Sequence, residues 1–108
     1  MQGLDLAGYL VFDRNYVHDT VCINEVDTII LEELHNAGED GILPRDIANT
    51  VNKLMHTRRF QPWHIRYILR RMNRKLEQQI GQRIAEKRGM RWALTRFARK
   101  AWGIAEEG

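Results

Sequence analysis

The stretch Gln61 to Lys75, QPWHIRYILRRMNRK, carries most of the side chains suited to a specific chemistry. Arg66, Arg70, Arg71, Arg74 and Lys75 alternate with Ile65, Ile68, Leu69 and Met72, and Leu76 follows one turn on. That is helical spacing, so one face packs and the other, with His64 and Tyr67, presents cations to negative charge. Guanidinium groups bind phosphate and carboxylate through paired hydrogen bonds, which makes a polyanion the natural target. Other chemistries lack their parts. The four histidines (His18, His35, His56, His64) and Cys22 show neither C-x-x-C nor H-x-x-x-H spacing, so no metal site is expected. There is no glycine-rich phosphate loop, no G-x-S-x-G elbow and no paired-carboxylate arrangement, so we expect neither an enzyme nor a cofactor.

Charge is distributed unevenly. Residues 1–52 hold ten acids and two bases, a net −8, whereas residues 53–108 hold fifteen bases and four acids, a net +11. A basic surface aimed at a polyanion explains this asymmetry, with the acidic half turned away. The alternative is that the halves neutralise each other within the fold or across a dimer. With 108 residues the chain suits one domain with a real core. A single cysteine and an opening segment, MQGLDLAGYLVF, without a basic n-region suggest a cytoplasmic protein, nucleoid-associated if the host is prokaryotic. No apolar stretch approaches membrane-spanning length, so no membrane partner is expected.

The elements that would position the cationic face follow in order. Residues 1–23 read as an N-terminal arm, packed on the core or on a partner subunit. Within it the Tyr9–Phe12 run and the imperfect alternation from Val17 to Ile23 suit a short strand or irregular chain. Asn24 caps a first helix with Asp27 three residues on, Val26, Ile29, Ile30, Leu34 and Ala37 facing inward, and Gly38 ending it. Gly41-Ile42-Leu43 suits a very short strand. Pro44 opens a second helix, Arg45 to about Met55, with Ile47, Val51, Leu54 and Met55 on its inner side. HTRRFQ connects it to the third helix, from Pro62 to Gly81. Gln82–Glu86 and Met90–Leu94 read as strands around Lys87-Arg88-Gly89, with Met90, Trp92 and Leu94 on the apolar side. Thr95 would cap a last short helix burying Phe97, Ala98, Ala101 and Trp102, and residues 104–108 read as a frayed tail.

This order, mainly α with a small β-hairpin, resembles a winged helix-turn-helix domain over about residues 24–103. The resemblance is strongest from Ile65 to Thr95, where an apolar-spaced helix, a glycine and a hairpin end on Trp92-Ala93-Leu94-Thr95, an aromatic-x-Leu-Thr closure. The connection His56–Gln61 is longer than the usual turn, and Gly81-Gln82 departs from the glycine-apolar pair that usually starts the wing.

The resemblance implies sequence-specific double-stranded DNA binding by a small transcriptional regulator, with the third helix in the major groove. Its first turns would then carry base readout by Gln61, Trp63, His64, Arg66 and Tyr67. Arg66 suits guanine and Gln61 adenine. Trp63 has a competing place in the core, and Tyr67 is split between phosphate and packing. Arg45, Arg58, Arg59, Arg70, Arg71 and Arg74 would meet phosphates. The wing residues Lys87, Arg88 and Arg91 would lie over the backbone or minor groove. Arg96, Arg99 and Lys100 read as solvated. A homodimer on two half-sites is expected, joined through the N-terminal apolar run and the helix carrying Trp102. The rival readings are RNA or nucleic-acid-end binding within a larger complex, and a protein-interaction adaptor.

Overall fold

The computed structural model describes the backbone of residues 2–4 and 10–107 and the side chains of residues 12–103. The elements are β1 (Gln2–Leu4), β2 (Leu10–Phe12), α1 (Arg14–Val21), α2 (Glu25–Ala37), α3 (Pro44–Leu54), α4 (Pro62–Ile80), β3 (Ala85–Arg88), β4 (Arg91–Leu94) and α5 (Arg96–Glu107). The chain is therefore mainly helical, with β3 and β4 forming a small antiparallel hairpin. Strands β1 and β2 pair antiparallel, with Gln2 opposite Phe12. Tyr9, the first residue of the apolar run, lies outside the described residues.

The segment after β2 corrects the sequence reading. Residues 14–21 are helical, not a strand or irregular arm. Asp13 caps the helix by accepting the Tyr16 N–H at 2.9 Å, and Val17 and Val21, one turn apart, are both buried. Three β-branched residues in eight, Val17, Thr20 and Val21, favour a strand locally, but packing of α1 against α4 and α5 overrides that preference. Helix α1 is thus a component of the core.

Helix α2 begins as its sequence implies. The Asn24 side chain accepts the Asp27 N–H at 3.1 Å, and the Asp27 carboxylate in turn accepts the Ile23 N–H at 2.9 Å. Its inner stripe is Val26, Ile30, Leu31 and Leu34, while Ile29 and Ala37 are half-buried at its margins. Burial pushes the neighbouring Cys22 thiol up to about 12, with the Asp27 charge adding to the effect.

The short strand expected at Gly41–Leu43 reduces to one antiparallel bridge. The Ile42 N–H donates to the Trp92 carbonyl at 2.8 Å, and the Trp92 N–H returns a bond to Ile42 at 2.9 Å. Gly41 is required there: its φ is +78°, and a Cβ would sit 2.7 Å from the Trp92 oxygen. Pro44 opens α3, which buries Ile47, Ala48 and Val51. Leu54, expected inward, is 56% exposed, because α3 ends at that residue and only Met55 turns back to the core.

Helix α4 delivers the apolar face expected of it: Ile65, Leu69, Met72 and Leu76 are all fully buried. Gly81, at φ +70°, closes it by donating its N–H to Glu77. The hairpin sits later than expected, starting at Ala85 and resuming at Arg91. Its tight turn is Gly89-Met90, with positive φ at Gly89 only, the sign pattern of a type II′ turn. Met90 therefore stands at the tip, 78% exposed, and not on the apolar face with Trp92 and Leu94. Thr95 caps α5 as expected, accepting the Ala98 N–H at 3.2 Å. Helix α5 runs on to Glu107, so most of the tail read as frayed is helical backbone. Trp102 is buried within the chain, which removes it as a dimer contact. Among the described residues no helix is long and apolar enough to cross a membrane.

Candidate nucleic-acid interface

The start of α4 is fixed by the loop before it. Asn52, on α3, clamps Phe60 from both sides: its Oδ1 accepts the Phe60 N–H at 3.0 Å and its Nδ2 donates to the Phe60 carbonyl at 2.9 Å. The long connection His56–Gln61 is thereby held to α3. It also contains His56, the one non-glycine residue at positive φ among those described. Pro62 then fills the first helical position, and the Gln61 N–H donates to His64 Nδ1 at 3.0 Å. His64, expected to read bases, uses that ring nitrogen to cap its own helix.

Three tiers of cations leave α4 in different directions. Trp63, Tyr67, Arg70 and Arg74, spaced four, three and four residues, form the outermost ridge and are all exposed. Arg66 turns toward the hairpin. With Arg70, Arg45 and Lys87 it lines a groove of about 410 Å³ floored partly by Met90 and Trp92. The Trp92 indole N–H is buried and finds no acceptor among the described residues. Arg66, Arg70, Arg74 and Lys87 have no ion-pair partner among the described residues. From Ile47 to Leu76 the chain contains no carboxylate at all.

Arg71 belongs to the third tier and corrects the expectation of a phosphate contact. Its guanidinium is bonded to Asp27, whose side chain is fully buried, and only 27% of the Arg71 side chain remains exposed. A charge at the bottom of a core needs a partner, and α4 supplies it from the flank facing α2.

The wing is held as firmly as the helix start. Asn73 Oδ1 accepts the N–H groups of Ile84 and Ala85, each at 2.9 Å, and Asn73 Nδ2 donates to the Ala85 carbonyl at 2.9 Å. Arg88, expected over DNA, is engaged by its own domain. It donates to Glu86 at 2.6 Å and to the Glu39 carbonyl at 2.6 Å, which pins the hairpin to the 3₁₀ turn Gly38–Asp40. Arg91 reaches the Gly41 carbonyl at 3.5 Å. Of the three wing candidates, Lys87 alone enters the groove. Arg45 lies 3.9 Å from Asp46 but is 70% exposed on the groove's far wall.

Arg58, Arg59 and Gln61 are exposed beside the α4 start, with the Arg59 guanidinium 5.0 Å from the Phe60 ring centre. Arg99, read as solvated, donates to the Leu94 carbonyl at 2.8 Å and lies 3.6 Å from Glu39. Sequence reasoning missed Asn52 and Asn73, which hold the loop before α4 and the start of the hairpin. The available signal was a polar, helix-neutral residue on each helix beside its apolar stripe.

No protein-family model, curated protein or solved structure matches the chain. The geometry therefore carries the functional argument: an acid-free, partly unpaired cationic ridge beside a cationic groove, both mounted on rigid elements.

Proposed function

We propose that this chain is a winged helix-turn-helix protein that binds double-stranded DNA sequence-specifically, as a small transcriptional regulator does. The order α2, α3, α4 and hairpin supports the winged reading, and the Ile42–Trp92 bridge ties the segment before α3 to the hairpin. In this reading α4 enters the major groove with its first turns toward the base edges. Arg66 reads guanine, Arg70 and Arg74 follow the phosphates, and Arg45 and Lys87 grip the backbone across the groove.

The observation that carries the reading is the division of partners on α4. Among the described residues the acidic half pairs with α4 only at Arg71, through Asp27, and leaves Arg70 and Arg74 exposed and Arg66 half-buried along the groove. A fold whose acidic and basic halves neutralised each other would cover that row. Selection of binding sites from a random duplex library tests the proposal. Enrichment of a defined motif by the native chain, lost in Arg66→Ala, is the expected outcome; a pool that stays random after repeated rounds overturns sequence-specific binding.

A further inference from the structure

The two residues that head the α4 ridge are aromatic, and they are mounted for stacking. Trp63 lies on the His64 ring with centroids 3.6 Å apart and planes 27° from parallel. The edge of Phe60 supports His64 at 6.0 Å, and the Arg59 guanidinium covers Phe60 at 5.0 Å. His64 Nδ1 also caps the helix, which fixes the ring directly behind Trp63, and Asn52 holds the Phe60 backbone beside it. Trp63 nonetheless leaves 58% of its surface in solvent, and Tyr67, one turn on, leaves 60%. Trp92 and Trp102, by contrast, are 5% and 4% exposed.

An indole offers a base edge one donor and no acceptor, so it reads the major groove poorly. It offers an unpaired base a complete π face. Base–aromatic stacking is favourable for every base, and a platform already held in place loses little freedom on binding. Arg59, Arg66 and Arg70 flank the platform, with no carboxylate in that part of the sequence, so the charge around it suits the phosphates on either side of such a base.

We infer that Trp63, backed by His64 and extended by Tyr67, is a stacking site for an unpaired nucleotide of DNA, so that the protein prefers duplexes carrying a single-stranded overhang over blunt ones. The inference rests on the nucleic-acid reading of α4 and adds the class of DNA structure it selects.

The test is a titration of the full chain with a labelled blunt duplex and with the same duplex carrying a short overhang, at several salt concentrations. The overhang should tighten binding by roughly 5- to 150-fold, the range that stacking of one base on an aromatic ring provides. Trp63→Ala should abolish that gain, bringing the overhang duplex to the same affinity as the blunt one, while Trp63→Phe retains most of it. Emission from Trp63, the exposed one of the three tryptophans, should be quenched more by the overhang duplex than by the blunt one. Equal affinity for both duplexes, with salt-dependent binding intact, overturns the stacking site alone. An equal loss on both duplexes in Trp63→Ala also overturns it. Failure of both duplexes to bind even at low salt overturns the stacking site together with the DNA-binding proposal.

Discussion

Arg70 and Arg71 are neighbours in sequence, yet they meet opposite surroundings because consecutive residues on a helix diverge by about 100°. On the flank toward α2, Arg71 closes over a buried carboxylate and is itself largely covered. On the flank toward the hairpin, Arg70 stands on the ridge and lines a groove shared with Arg45, Arg66 and Lys87. One helix thus commits one cation to the fold and leaves others unpaired among the described residues. The contrast shows that charge count along a helix does not measure binding capacity. What decides is which element packs against each flank and whether that element carries an unpaired acid.

The largest effect should separate the two arginines. Arg71→Ala strands the Asp27 carboxylate in the core and should destabilise the fold by about 3–5 kcal/mol, read as a lower urea midpoint. Arg70→Ala should stay within about 0.5 kcal/mol of the native chain in the same assay. Equal costs would erase the distinction drawn between the flanks.

Asn73→Ala comes next. It leaves the Ile84 and Ala85 N–H groups without their acceptor, and each such loss costs about 1–3 kcal/mol when the groups are buried. Hydrogen exchange should speed up first in the hairpin. On the ligand side, Arg66→Ala should cost about 1–3 kcal/mol on the preferred duplex and relax sequence preference. Arg88→Ala, by contrast, should change duplex affinity by less than about 0.5 kcal/mol, since its guanidinium already serves Glu86 and Glu39.

An effect confined to high pH concerns Cys22. Its thiol is pushed up to about 12 from 9.0 by burial and then by Asp27. The raised value means that native and unfolded chains are both neutral at this group below pH 9, so its contribution is fully present there. Above that, the unfolded chain ionises first, and the contribution fades as pH climbs through 9 toward 12. Comparing urea midpoints of the native chain and Cys22→Ala across that range reads the difference.

Helix positions with strong periodicity were legible from sequence alone. Ile65, Leu69, Met72 and Leu76 repeat at 3.6-residue spacing and are all buried, and the Asn24 cap sits where its residue type implies. What escaped was decided by contacts distant in sequence. The imperfect alternation from Val17 to Ile23 suits a short strand or irregular chain; the Asp13 cap and packing against α4 and α5 make residues 14–21 a helix. Met90 follows the alternating pattern of β4 but falls in the turn, because the hairpin's register places Arg88 opposite Arg91.

In the site, the cationic ridge was visible as composition, whereas the fate of single cations was not. Arg71 differs from Arg70 through Asp27, forty-four positions away, and Arg88 is held by Glu39, forty-nine away. Trp63 shows the converse. Its residue type favours a place in the core, yet Pro62 and the His64 cap start the helix so that the indole faces out.

The central claim is that the open cations of α4 neutralise nucleic-acid phosphates, and the salt dependence of duplex binding tests it most directly. The logarithm of affinity should fall against the logarithm of salt with a slope of about −0.9 per phosphate neutralised. Replacing Arg66, Arg70 and Arg74 together by alanine should make that slope shallower by about 2, from the two phosphate contacts of Arg70 and Arg74, with the fold intact. A native chain whose duplex binding is absent or indifferent to salt, or a triple variant with an unchanged slope, contradicts the account.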